Sequence, residues 1–154
     1  MTRTFHGSGD GTGLHVGVAA AEWNQAIVDR LLEGALRRLE AAGVEQVTVV
    51  RVPGALELPL AARKLAENGC DAVVALGAVV KGETDHYDIV VRESAHGVAT
   101  VALETGVPVA NGILAVHDYS HAVERAGAGE SNKGAEAVDA AISTANALRD
   151  LESS

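Results

Sequence analysis

The sequence predicts an α/β sandwich, a mainly parallel sheet with helices packed on both faces. Three observations carry that prediction. Four short apolar runs suit strands covered on both sides. Longer stretches with apolar residues at helical spacing separate them, and Gly43, Gly69 and Gly106 close the first three of those stretches. Strand and helix alternate along the chain, an order that calls for right-handed crossovers and a three-layer α/β/α arrangement with a four-stranded sheet. No internal repeat or linker divides the 154 residues, so one domain around a single core is expected.

Residues 1–13 read as a flexible arm. Its run GSGDGTG (Gly7 to Gly13) precedes a strand, whereas a dinucleotide-binding fingerprint follows one. The arm is therefore read as a lead, or as an edge-pairing segment that adds a strand to a neighbouring subunit. The domain proper covers 14–151 and a short tail 152–154. LHVGVAAA (Leu14 to Ala21) is the first strand, and Ile27, Val28, Leu31, Leu32, Ala35, Leu36 and Leu39 mark one face of the helix behind it. QVTVVRV (Gln46 to Val52) is a β-branched second strand, followed by a helix over Glu57 to Gly69. The third strand is DAVVALGAVV (Asp71 to Val80) and the third helix runs from His86 to Gly106. VPVANGILAV (Val107 to Val116) is the fourth strand, with a short helix over Ser120 to Gly127 and a long one over Lys133 to Leu151.

Composition narrows the function. Twelve Lys and Arg stand against 21 Asp and Glu, a formal charge of -9 that disfavours nucleic acid and anionic membrane as partners. No apolar run approaches the roughly 20 residues of a spanning helix, and the N-terminus lacks the apolar core of an export signal. A cytoplasmic protein is expected. The lone Cys70 can form no internal disulfide, and the six histidines show no metal-ligand spacing. Neither metal nor cofactor is expected.

In a parallel sheet, ligands collect beyond the carboxyl ends of the strands. The loops there are AAEWN, VPGALE, GAVVKGETDH and VANGILAV, which are also the least ordinary stretches of the chain. GETDH offers backbone N–H groups at a helix start, which favour an anion. A cap, Thr84 or Asp85, would account for one of its residues and leave Gly82, Glu83 and His86 unexplained. His86 is placed about one turn into the helix, where an imidazole can move protons near neutral pH. Trp23 is the only tryptophan, a flat platform directly after the first strand. ERAGAGESNKG places Arg125 and Lys133 around a Gly-rich bend, where an Arg fork and a Lys could converge on phosphate.

Together the stretches GTGLHVGVAAAEWN, VPGALELPLAA, ALGAVVKGETDHYD, LETGVPVANGIL and ERAG followed by NKGAEA resemble the lumazine synthase family, in its order and spacing, from Gly11 to Leu148. The resemblance implies a flavodoxin-like topology and a transferase acting in riboflavin biosynthesis. Its reaction condenses 5-amino-6-(D-ribitylamino)uracil with 3,4-dihydroxy-2-butanone 4-phosphate to 6,7-dimethyl-8-ribityllumazine, phosphate and water. It also implies His86 as the proton-transferring group, with Arg125 and Lys133 beside the phosphate and Glu83 and Thr84 on the phosphate loop. Trp23, Asn24, Gly54, Ala55, Leu56, Glu57, Ala78, Val79 and Val80 would hold pyrimidine and ribityl, and Asn111 would reach the ring from a neighbouring subunit. Leu56 and Asn111 stand where the family often has Phe, and Ala115 where it has Thr. The family works as homopentamers with shared sites; the short bend Ala128 to Ser131 is that of members that assemble twelve pentamers into an icosahedral shell. Riboflavin synthase is the candidate protein partner. The competing reading is a flavin or lumazine carrier, or a shell protein, that kept the pocket without the chemistry.

Overall fold

A computed structural model describes residues 1–154, and its elements follow the expected order. Strand β1 (His15–Ala21) leads to helix α1 (Gln25–Ala41), and β2 (Gln46–Val52) to a 3-10 turn (Ala55–Glu57) that runs into α2 (Leu58–Glu67). Next come β3 (Ala72–Val80), α3 (His86–Thr105), β4 (Val109–Val116), α4 (Tyr119–Arg125) and α5 (Lys133–Glu152). The sheet order is β2-β1-β3-β4 and every pairing is parallel. That is the flavodoxin-like order with its switch point between β1 and β3.

Side chains alternate across a strand, so a strand covered on both faces must be apolar at every position. β3 meets that condition throughout, and β1 does so after its half-buried first residue, His15. Val16, Val18 and Ala20 of β1, with Val74 and Leu76 of β3, face α1 and α5; Ala19 and Ala21, with Val73 and Ala75, face α2 and α3. The sheet therefore separates two apolar cores where composition alone suggested one. The small side chains bring the layers close: a Cβ on Gly17 would stand 2.9 Å from Cys70 Sγ. β2 is an edge strand with its residues largely half-exposed or exposed, as its Thr48 and Arg51 require.

Element ends shift by up to a few residues from the sequence reading, while α3 starts at His86 as expected. His86 therefore opens the helix and does not stand one turn inside it. Asp85 occupies the N-cap position with its side chain unengaged, while Thr84 Oγ1 accepts the His86 N–H at 3.3 Å. At the other end Gly106, at φ 72°, gives the left-handed turn that stops α3.

The arm adopts no strand in the single chain. It folds back on α5, where Ser143 Oγ donates to the Gly7 carbonyl at 3.0 Å and Asn146 Nδ2 donates to the carbonyls of Ser8 at 2.9 Å and Asp10 at 2.8 Å. Gly7 is required there, because a Cβ would lie 1.6 Å from the Ser143 carbonyl oxygen. Gly7→Ala is expected to lift the arm. Amide exchange over residues 8–12 would rise while the global unfolding midpoint stays within a few tenths of a kcal/mol; unchanged exchange would contradict the docking.

Candidate active site

The carboxyl ends of β1, β2 and β3 meet at one rim. After β1 the chain is tied to the loop after β2 by Glu22 N–H to the Val52 carbonyl at 2.7 Å and Trp23 N–H to the Pro53 carbonyl at 2.9 Å. Asn24 then takes a left-handed conformation, φ 58°, the only non-glycine residue to do so. Asn tolerates that region better than most residues. Although Asn24 heads α1, its side chain does not cap the helix; Nδ2 donates to the Ala78 carbonyl at 2.8 Å, tying the first loop to the end of β3.

Between these tethers lies a pocket of ≈ 350 Å³, within the range of small-molecule sites. Trp23, Asn24, Gly54, Ala55, Leu56, Glu57, Ala78, Val79, Val80 and His86 line it, with Ala21 and Val90 completing the wall. Trp23 is 66% exposed, so its ring is offered to the pocket and not consumed by packing. Gly54 permits that placement, since a Cβ there would lie 2.5 Å from the indole Cε3. Glu57 Oε1 accepts the Gly54 N–H at 2.9 Å, leaving Oε2 without a protein partner. One wall is thus apolar and flat and the other offers a carboxylate oxygen, with an exposed imidazole at the edge. That suits a planar heterocycle with polar substituents.

Glu83 and Thr84 lie outside the lining, exposed on the loop that joins two lining residues, Val80 and His86. Arg125 and Lys133 are elsewhere. They line a second depression of ≈ 320 Å³ with Ser131, Glu136 and the Ile113–Val116 stretch of β4, and it shares no residue with the first. Arg125 Nη1 donates only to the His121 carbonyl, at 3.1 Å within its own helix, and Lys133 Nζ stands 3.8 Å from Glu136. Asn111 is exposed on β4, its Oδ1 accepting the Ile113 N–H at 2.8 Å, and it lines neither depression. A larger groove of ≈ 600 Å³ between α1 and the 126–132 bend mixes Arg30, Arg37 and Arg38 with Glu33 and Glu130. It holds no histidine or aromatic residue; Arg37 pairs with Glu33 within it and Arg38 with Asp139 beside it.

Residues 13–149 match the family described as 6,7-dimethyl-8-ribityllumazine synthase. The chain belongs to the lumazine synthase family. It is 50% identical over 151 residues to the 6,7-dimethyl-8-ribityllumazine synthase of Thermococcus gammatolerans, covering 97% of each chain. With that of Kineococcus radiotolerans the identity is 53% over 142 residues, 91% of this chain and 88% of the relative. With that of Streptomyces avermitilis it is 44% over 140 residues, 90% and 87%.

Within this lumazine synthase family member two further groups have settled roles. Burial, helped by the charge of Asp71, pushes the Cys70 thiol up, away from nucleophilic duty. Asp118 caps α4, the helix that ends at Arg125; the Ser120 backbone N–H first, and then its hydroxyl, hold the Asp118 carboxyl below its ordinary 3.8. A depressed carboxyl stabilises the fold above its unfolded pKa, and that contribution is lost as pH falls through the lower folded value. Val90, which the sequence reading missed, was accessible from its position one helical turn after His86.

Gly54→Ala should displace the indole and change the emission of the single tryptophan in a folded protein; an unaltered spectrum would contradict the packing described. Asp118→Asn should flatten the loss of stability between the ordinary carboxyl pKa and lower pH, measured by unfolding midpoints from pH 5 to 2. Parallel profiles for the two proteins would contradict it.

Proposed function

We propose that this chain is a 6,7-dimethyl-8-ribityllumazine synthase, condensing 5-amino-6-(D-ribitylamino)uracil with 3,4-dihydroxy-2-butanone 4-phosphate. The observation that carries the reading is the union, in one pocket, of the Trp23 platform, the Gly54–Glu57 turn, the end of β3 and His86. The pyrimidine stacks on Trp23, with its ribityl chain along the turn and Glu57. Glu83 and Thr84 frame the phosphate loop, and Arg125 and Lys133 supply the cations.

The chemistry asks for little more. The pyrimidine's amine attacks the ketone and water is lost as the imine forms; phosphate then leaves, and the ribityl-bearing nitrogen closes the ring with loss of a second water. Each step moves protons, which His86 relays, and each gains from holding two reactants in register. Phosphate departure gains from nearby cationic charge. None of the steps changes oxidation state overall, so no redox cofactor is needed.

Because the pocket and the Arg125–Lys133 depression share no residue, we place the complete site between copies, one presenting His86 and the next its cations. Asn111 then meets the ring from the neighbour. A cyclic arrangement satisfies every copy at once, and we assign the pentamer, with twelve pentamers closing a shell. Exposed Ile89 and Leu103 on α3, the latter 87% exposed, are apolar surface that such an assembly would cover.

The test is to mix the purified protein with both substrates and follow lumazine absorbance and released phosphate. Stoichiometric formation well above the spontaneous rate is expected. His86→Ala should slow turnover by roughly 10²-fold without abolishing it, and Arg125→Ala should raise KM for the butanone phosphate about tenfold or more. An assembled protein that binds the pyrimidine without accelerating the reaction would overturn the enzyme and leave a carrier or shell.

A further inference from the structure

Only two polar side chains are buried, Ser94 and Asn132, and Asn132 is 2% exposed. A buried amide must satisfy its donors and acceptor. Asn132 does so with three separate segments. Nδ2 lies 3.2 Å from the Arg30 carbonyl of α1, 3.2 Å from the Ala126 carbonyl and 3.0 Å from the Gly127 carbonyl, just past the end of α4. Oδ1 accepts the Ala135 N–H at 3.1 Å, capping α5. Glycines clear its seat: a Cβ on Gly34 would stand 2.3 Å from Oδ1, and one on Gly134 would stand 2.1 Å from the Leu31 carbonyl oxygen.

A helix cap needs the acceptor alone. The three donor contacts therefore serve something else, and their position is informative. Arg125 immediately precedes Ala126 and Lys133 immediately follows Asn132, so the amide fastens the two points where the cationic side chains leave the backbone. Neither cation is fixed by its own side chain, given a single contact of Arg125 within its helix and a 3.8 Å approach of Lys133 to Glu136. Between them the bend has Gly129 at φ 106°, with no other regular structure from Gly127 to Ser131.

We propose that Asn132 is a positioning residue for the phosphoryl group: its amide sets the separation of Arg125 and Lys133, and through them the affinity for the phosphate-bearing substrate. The inference rests on the phosphate reading of those two cations. Asn132→Ser keeps a good cap acceptor and removes the bridges. Asn132→Asp keeps size and cap but turns a carboxylate on three carbonyl oxygens, a repulsion relieved when the acid is protonated and can donate.

The experiment measures both KM values and, by calorimetry, inorganic phosphate binding, for the assembled wild type, both Asn132 variants and Arg125→Ala. Asn132→Ser is expected to raise KM for the butanone phosphate and the Kd for phosphate about tenfold, the scale of one lost hydrogen-bonding group, with KM for the pyrimidine within about twofold. Asn132→Asp should show the same split, shrinking relative to wild type as pH is lowered; it also serves if the Ser variant does not assemble. Unchanged phosphate binding in either folded variant, or an equal rise in both KM values, overturns the role of Asn132. Unchanged phosphate binding in Arg125→Ala overturns the phosphate reading itself, and the proposal with it.

Discussion

The architecture depends on one constraint: β1 and β3 are covered on both faces. Strands in that position carry only apolar side chains, and parallel pairing sends all four carboxyl ends to the same edge. The interior is thereby closed to chemistry, and the loops at that edge carry it. Hydrogen bonds from backbone and side chains then fix the loops to one another. Trp23 N–H to Pro53, Glu57 to Gly54 N–H and Asn24 to the Ala78 carbonyl join three strand ends into one wall. A flat aromatic can stay exposed at that rim because its neighbours hold it, not because a core surrounds it.

The proposed cationic half of the site is built by different means. Arg125 and Lys133 stand on helix ends, where side-chain position follows the backbone, and a buried amide spans the bend between them. The two halves face different depressions of one chain. A site shared between copies, as proposed, would make catalysis conditional on assembly and couple stability of the oligomer to activity. Such an assembly would also cover apolar α3 residues such as Leu103, which is 87% exposed in the single chain.

Much of this was legible in the sequence, and the reasons differ by element. The buried strands announced themselves as apolar runs, since beyond His15 at the start of β1 no polar residue stands in β1 or β3. The helices were legible because one apolar face repeats every turn and glycine ends it. The pocket residues were readable from their place after strands, and the family resemblance sorted them into roles. Two things were not. The arm's docking rests on Ser143 and Asn146, ordinary polar residues whose partners lie more than 130 positions away. Asn132 reads as a cap, and only its burial exposes the other three contacts.

The central claim, a site completed by a neighbouring copy, is tested most directly by co-expressing His86→Ala and Arg125→Ala chains and assaying the purified mixed assembly. In a cyclic assembly, roughly a quarter of the interfaces at equal ratio pair an intact His86 with an intact Arg125. With the butanone phosphate held well below the wild-type KM, activity should therefore exceed the mean of the two parent variants and approach that fraction of wild type. A mixed assembly no more active than the mean of its parents would place both groups in one chain and contradict the account.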